Sequence, residues 1–121
     1  MNRYSKMSAL VVGLGSMGKR RVRNLRALGV GRIIGYDLRD DRRLETAERY
    51  GIELVADLER GLSLKPDVLI ISTPPHRHLE FAHAAIAAGI PFFMEANCFL
   101  HGLAELNAAL AGKGLVAAPS R

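Results

Sequence analysis

Three glycines near the start of the chain constrain its fold more than any other feature. Gly13, Gly15 and Gly18 follow an apolar run at residues 9–12 and open a helical pattern that begins near Met17. A strand that enters a helix through a turn of this spacing is typical of a βαβ unit that binds a dinucleotide. The first glycine permits the turn, the second lets phosphate approach the backbone, and the third lets helix and strand pack closely. The alternative is a glycine-rich turn without a ligand.

Apolar runs alternate with helical patterns along the rest of the chain. Buried parallel strands are predicted at residues 9–12, 33–36, 68–72, 91–94 and 115–118, and a weaker one at 53–55. Helices are predicted at about 17–28, 42–50, 78–88 and 103–111, with a short helix and loop within 57–65. Right-handed crossovers then predict an α/β Rossmann fold, a doubly wound parallel sheet with strand order 3-2-1-4-5-6 in three α/β/α layers.

Composition narrows the class of protein. The 121 residues suit one compact domain, and charged side chains interrupt every apolar run long enough to span a membrane. The glycine-rich, basic N-terminal region lacks the pattern of a signal peptide, and the lone Cys98 cannot form an internal disulfide. We therefore expect a cytoplasmic protein without a membrane segment.

The net charge of +5 raises the question of nucleic-acid binding. Basic residues cluster on the first predicted helix, at Lys19, Arg20, Arg21, Arg23 and Arg26. No aromatic side chains are interleaved with them, so stacking on bases has little support. We interpret the cluster as a solvated helix face and expect no nucleic-acid partner.

An acidic residue ends the second predicted strand. Asp37, next to Leu38, lies nineteen positions after Gly18, where a carboxylate accepts hydrogen bonds from adenosine ribose hydroxyls. This favours NAD over NADP, whose 2′-phosphate the carboxylate repels. Arginines that follow could offset the repulsion and permit NADP, although a solvated surface is the preferred interpretation for them: Arg39, Arg42 and Arg43. The alternative for Asp37 is a helix or turn cap.

The segment Ser72-Thr73-Pro74-Pro75-His76-Arg77-His78 follows the fourth strand, beside the crevice where the strand order reverses. Thr73 and His78 offer polar groups that either face a nucleotide or cap the next helix. The histidines do not repeat a metal-ligand spacing, so we predict no metal site. Nothing identifies a partner base for Cys98, and no catalytic residue is predicted.

Taken together, these motifs resemble the glucose-fructose oxidoreductase and inositol dehydrogenase family, Gfo/Idh/MocA, over nearly the whole chain. The motifs are Gly13-x-Gly15-x-x-Gly18-x-Arg20, Asp37, Ser72-Thr73-Pro74-x-x-x-His78 and Ile90-Pro91-Phe92-Phe93-Met94-Glu95. The resemblance implies pyrophosphate at residues 13–18, adenosine ribose at Asp37, and Glu95 near the nicotinamide ribose. The predicted cofactor-binding residues are Gly13, Leu14, Gly15, Ser16, Met17, Gly18, Asp37, Leu38, Ser72, Thr73, Pro74, Pro75, His78 and Glu95.

The chain departs from the family pattern in two ways. The lysine and proline that usually follow the glutamate are Ala96 and Asn97 here, and the lysine lies at the family's catalytic centre. The family's α+β substrate domain does not follow, so we expect residues 1–121 to be the dinucleotide-binding domain alone. The resemblance implies hydride transfer between nicotinamide and a small sugar- or polyol-like substrate, which only a second domain would bind. The alternative is a non-catalytic module that binds dinucleotide or docks a partner. In either case we expect a monomer or a weak homo-oligomer.

Overall fold

The computed structural model of the chain describes residues 4–73 and 77–94, in which strands and helices alternate. The strands are β1 (Ser8–Val12), β2 (Arg32–Tyr36), β3 (Glu53–Val55), β4 (Val68–Ile71) and β5 (Phe92–Phe93). The helices are α1 (Ser16–Leu28), α2 (Asp40–Tyr50), α3 (Leu58–Ser63) and α4 (His78–Ala88). Three of the helices end at a glycine in the left-handed conformation, which favours this residue: Gly29, Gly51 and Gly89.

The described strands form one parallel sheet with the order β3-β2-β1-β4-β5. From β1 the chain builds outward through β2 to β3, then crosses to the other side of β1 for β4 and β5. The connections that leave the carboxyl ends of β1 and β4 therefore diverge and open a crevice there. The predicted α/β Rossmann fold is confirmed, while the predicted helix at 103–111 and sixth strand at 115–118 lie outside the described residues.

Alternate residues of β1 belong to cores on opposite faces of the sheet. Ala9 and Val11 pack in a cluster that includes Val22 and Leu25 of α1. Leu10 and Val12 pack in a second cluster, which includes residues of α4. All four β1 side chains are fully buried, as a central parallel strand covered by helices on both faces requires.

Element boundaries differ from the predictions by one or two residues. Helix α2 begins at Asp40 rather than at residue 42, because Asp40 and Asp41 in its first turn complement the helix dipole. Helix α1 begins one residue early, as do β1 and β2, while β4 and β5 are shorter than predicted. The predicted short helix is α3, whose N-cap residue Asp57 accepts the Arg60 N–H at 2.7 Å. Within the described ranges, no helix is long and apolar enough to cross a membrane.

Candidate functional site

A cleft of about 730 Å³ opens at the carboxyl end of the sheet, between the glycine turn, the end of β2 and the end of β4. It brings together predicted site residues that are far apart in the sequence: Gly13, Gly15, Ser16, Met17, Asp37, Leu38, Ser72 and Thr73. Leu14 and Gly18 are buried beside them. Pro74, Pro75 and Glu95 lie outside the described residues, and His78 begins α4 with its side chain not described.

Two of the three glycines are required by the chain itself. Gly13 has a φ of +97°, and a Cβ there would lie 2.9 Å from the backbone of Ser72. A Cβ on Gly18 would lie 1.7 Å from the Gly13 carbonyl oxygen. Since backbone atoms cannot move aside cheaply, the turn closes against β4 and α1 only with glycine at both positions.

Gly15 is different, because no backbone atom among the described residues crowds it. Its φ of −73° suits any residue, and the nearest neighbours of a Cβ would be side-chain atoms of Arg42, the first at 3.5 Å. The free space at Gly15 belongs to the cleft, where a Cβ would fill room that a phosphate group needs. The turn therefore has the form of a phosphate cradle.

Helix α1 points its N-terminus at the same place. Its N-cap residue is Gly15, which has no side chain to cap the helix, and no acidic residue lies in its first turn. The N–H groups of the first turn and the positive end of the helix dipole are thus available to an anion. Ser16 and Met17, the first two residues of α1, line the cleft.

Asp37 is buried at the end of β2 and fixes the glycine turn. Its Oδ2 atom accepts the Leu14 N–H at 2.8 Å, and its Oδ1 atom accepts the Arg39 N–H at 2.9 Å. The second bond is the turn cap that the sequence left open as an alternative. A carboxylate offers about four acceptor positions, so Asp37 retains capacity for ribose hydroxyls on its cleft side.

The three arginines after Asp37 have separate roles. Arg39 pairs with Asp41 at 2.6 Å, and this contact lowers the pKa of the Asp41 carboxyl. Arg43 pairs with Asp40 and donates to the Asp37 carbonyl at 2.7 Å. Arg42 lies 3.6 Å from Asp37 Oδ2 and reaches over Gly15. The solvated-surface interpretation is wrong for Arg43, whose side chain is only 19% exposed, because it binds the Asp37 and Leu38 carbonyls that follow β2.

The solvated-face interpretation of α1 is also wrong at two positions. Lys19 is 7% and Arg21 is 5% exposed, because these side chains turn toward α2 and toward the cleft. Burial lowers the pKa of Arg21, and the neighbouring charge of Arg20 lowers it further. An arginine keeps its charge even so, and Arg21 therefore adds a poorly hydrated cation to the cleft lining.

The β4 side of the cleft carries polar and aromatic groups. The Ser72 hydroxyl oxygen is buried and has no hydrogen-bond partner among the described residues. Arg77, the N-cap residue of α4, makes two hydrogen bonds of 3.1 Å to Glu80 and lies 5.3 Å from the Phe81 ring centroid. Residues 4–73 and 77–94 contain no group of three His, Cys, Asp or Glu side chains placed to hold a metal ion.

Several residues that line the cleft are not among the predicted cofactor-binding residues: Arg21, Tyr36, Arg42, Arg77, Phe81 and Met94. Two of them carried a usable signal. Tyr36 is the last residue of β2, and Arg42 lies in the first turn of α2, so both are near carboxyl strand ends. The positions of Arg21, Arg77 and Phe81 depend on how α1 and α4 turn to the sheet, which the sequence does not reveal, and Met94 was predicted inside β5 but lies just after its end.

Residues 7–111 match the oxidoreductase family with an NAD-binding Rossmann fold, Gfo/Idh/MocA. The chain belongs to this family. The match covers the glycine turn, Asp37 and both polar segments after β4 and β5, in agreement with the resemblance of the motifs. No curated protein matches the sequence.

Solved structures with the same fold include longer proteins that bind NAD or NADH. GenD2 from gentamicin A biosynthesis, in complex with NAD, is 25% identical over 96% of this chain, with a TM-score of 0.69. An NAD-binding protein from Listeria innocua is 30% identical over 73% of this chain, with a TM-score of 0.63. The WlbA dehydrogenase of Chromobacterium violaceum, in complex with NADH and UDP-GlcNAcA, is 23% identical over 90%, with a TM-score of 0.67. The matches cover 34%, 26% and 33% of those proteins, so this chain spans about a third of their length or less.

Proposed function

We propose that residues 1–121 form the dinucleotide-binding domain of an oxidoreductase and bind NAD(H) in the cleft at the carboxyl end of the sheet. The observation that carries this proposal is Gly15, a cleft-lining glycine at the uncapped N-terminus of α1 whose backbone conformation suits any residue and whose Cβ would meet only the Arg42 side chain among the described residues. A phosphate needs both the missing Cβ and the unpaired N–H groups. Family membership supports the same cofactor.

The cleft divides into regions that suit the parts of the cofactor. The glycine turn and the start of α1 would hold the pyrophosphate, and Asp37 would accept hydrogen bonds from the adenosine ribose. Leu38, which is 68% exposed, offers an apolar surface beside that ribose position. Ser72 and Thr73 lie on the β4 side of the cleft, where the nicotinamide half would extend. The buried Ser72 hydroxyl would gain a polar partner there.

In this proposal the same cleft also binds NADP, as an alternative cofactor. Asp37 alone would repel a 2′-phosphate, but both of its oxygens already accept N–H groups and Arg42 lies 3.6 Å away. Arg39 and Arg43 are paired with Asp41 and Asp40, which leaves Arg42 as the arginine of this group that faces both Asp37 and Gly15. We expect NAD to bind more tightly and NADP to depend on Arg42.

The substrate proposed for the whole enzyme is a small sugar or polyol. Two of the similar structures support a carbohydrate substrate: GenD2 is from gentamicin A biosynthesis, and WlbA was solved in complex with UDP-GlcNAcA. The nicotinamide cofactor supplies the hydride chemistry, while the protein positions it. Ala96 and Asn97 replace the family's lysine and proline, so no side chain at these positions could exchange a proton with the reacting alcohol. We therefore propose that this chain binds cofactor without turnover unless a substrate domain is supplied.

The same replacement favours a second candidate, a non-catalytic module that binds dinucleotide or docks a partner. An assay of the pure chain with NAD and a panel of polyols, at high protein concentration, separates the candidates in part. Clear turnover would exclude the module and contradict the proposed inactivity. Turnover that requires an added α+β domain would support the enzyme.

The test of cofactor binding is a fluorescence titration with NADH and NADPH. The chain contains no tryptophan, so nicotinamide emission can be followed without a tryptophan background. We expect saturable NADH binding that weakens in Asp37→Ala. The matched control is Asp67→Ala, because Asp67 accepts the Ser8 N–H at 2.9 Å at the far end of the sheet, as Asp37 accepts that of Leu14.

If the two variants weaken NADH binding equally, the effect is a loss of stability and not of a ligand contact. A folded wild-type chain that binds neither nucleotide at millimolar concentration would overturn the proposed function.

A further inference from the structure

Leu14 lies at the centre of the glycine turn, and charged side chains hold its backbone from both directions. Its N–H donates to Asp37 Oδ2 at 2.8 Å, and its carbonyl oxygen accepts from Lys19 Nζ at 2.7 Å. Both bonds are buried, and the Leu14 side chain is fully buried as well. Hydrogen bonds to ionised groups are the stronger kind, so the central residue of the turn has a fixed orientation.

The bond to Lys19 also sets the direction of the next N–H group. The Leu14 carbonyl and the Gly15 N–H belong to one planar trans peptide, so they point in opposite directions. Lys19 draws the carbonyl toward α2, where Nζ pairs with Glu45 Oε1 at 3.1 Å. The Gly15 N–H therefore points away from the Lys19 ammonium, and Gly15 itself lines the cleft.

Lys19 occupies a position that is unfavourable for a cation. It lies in the first turn of α1, where the helix dipole disfavours positive charge, and it is only 7% exposed. Burial of an ammonium group is costly unless the group is paired and hydrogen-bonded. Glu45 is half exposed and offsets part of this cost, but the short buried bond is the one to Leu14. The buried Lys19 ammonium is therefore in an unfavourable position, and its bond to the Leu14 carbonyl fixes the glycine turn.

We infer that Lys19 is a positioning residue for dinucleotide binding: it holds the Leu14 carbonyl and so aims the Gly15 N–H at the place of the pyrophosphate. This inference rests on the proposed function. It assigns Lys19 no contact with the cofactor, and its effect is confined to ligands that carry the pyrophosphate.

The test compares ligands with and without that group. Lys19→Met keeps most of the side-chain stem and removes the donor. We expect its Kd for NADH and for ADP-ribose to rise about tenfold, as for loss of one charge-assisted hydrogen bond, and its Kd for adenosine to stay unchanged. Lys19→Arg keeps a cationic donor and should restore most of the affinity. Glu45→Gln leaves the Lys19–Leu14 bond in place and is the matched control, with a Kd for ADP-ribose within about twofold of wild type.

A spectroscopic measurement on the wild-type chain does not depend on the folding of any variant. The Gly15 amide resonance in a ¹H–¹⁵N correlation spectrum should move on addition of ADP-ribose and not on addition of adenosine. An unmoved Gly15 amide, or a Lys19→Met variant with wild-type affinity for ADP-ribose, would overturn the inference. Equal losses for ADP-ribose and adenosine would also overturn it, because they would reveal a general loss of structure. A wild-type chain that binds neither NADH nor ADP-ribose overturns the proposed function instead.

Discussion

The two ends of the parallel sheet contain the same kinds of residue and use them differently. At the amino end a cavity of about 440 Å³ lies beside Gly31, Arg32 and Glu53. There Arg32 makes two hydrogen bonds of 2.9 Å to Glu53, and a Cβ on Gly31 would lie 1.9 Å from a backbone oxygen. Glycine and charges at this end are accounted for by the chain itself.

The carboxyl end contains the same residue types, but some of its hydrogen-bonding groups are not used by the described part of the chain. A Cβ on Gly15 would meet only the Arg42 side chain, the N-terminus of α1 lacks a capping side chain, and the Ser72 hydroxyl has no partner in the described part of the chain. The comparison teaches that neither a glycine nor a charged pair marks a site. A site is marked where the chain leaves polar groups and space that only a ligand can use.

The largest expected effect is one that both ends share. Gly18→Ala and Gly31→Ala each place a Cβ within 2 Å of a backbone carbonyl oxygen, at 1.7 Å and 1.9 Å. Because backbone must move in both cases, we expect the free energy of unfolding to fall by about 3 kcal/mol or more in each variant. Urea denaturation followed by circular dichroism measures it. A Gly31→Ala variant as stable as wild type would show that the backbone at the amino end of the sheet has room for a side chain at this position.

Gly15→Ala should separate the ends. Its Cβ meets only Arg42 side-chain atoms from 3.5 Å outward, and its φ is already −73°, so the unfolding free energy should fall by no more than about 1 kcal/mol, the cost of alanine as an N-cap residue. NADH affinity should fall by about tenfold or more, because the methyl group occupies the phosphate position. Undiminished NADH binding would remove the distinction between the two ends.

The sequence predicted the shared architecture better than it predicted the difference between the ends. Strand and helix positions follow from apolar periodicity and from glycine at helix ends, and these local signals placed β3 and α4 at their observed residues. The glycine turn and Asp37 were predicted together because both belong to one βαβ unit with a fixed spacing. The strand order followed from the handedness of the connections.

Partners of charged side chains were not predictable in the same way. Lys19 and Arg21 look like two members of a basic helix face, yet they are buried because α2 and the cleft flank that part of α1. Arg42 and Arg43 are adjacent in the sequence but have different environments: Arg42 lies over Gly15, and Arg43 binds the carbonyls that follow β2. Such assignments depend on the packing of helices that are distant in the sequence.

Arg42→Gln tests whether the Arg42 guanidinium, at the carboxyl end of the sheet, helps to bind a 2′-phosphate. Without Arg42, Asp37 loses the cation that lies 3.6 Å from its Oδ2 atom, so repulsion of a 2′-phosphate should increase. We expect the Kd for NADPH to rise about tenfold and the Kd for NADH to change by less than about threefold. Arg39→Gln is the control, since Arg39 already pairs with Asp41. Equal losses for both nucleotides would assign Arg42 to the pyrophosphate rather than to the ribose.

The smallest expected effect is at the amino end, where Glu53→Gln removes half of an exposed pair. The hydrogen bond from Arg32 holds the pKa of the Glu53 carboxyl below its usual range, so this pair stabilises the fold above the unfolded-state pKa of about 4.3. The contribution is lost as the pH falls through the lower pKa of the folded state. Both side chains are more than 40% exposed, and solvent screening keeps the effect small.

We therefore expect Glu53→Gln to have a slightly lower Tm than wild type at pH 7, a difference that vanishes in acid, and an unchanged Kd for NADH. Thermal denaturation at several pH values and one NADH titration at pH 7 measure these three quantities. A Tm difference that persists in acid would mean that Glu53 acts through packing and not through its charge. A weakened NADH affinity would mean that the amino end communicates with the cleft, and the two ends could then no longer be treated as independent parts of one sheet.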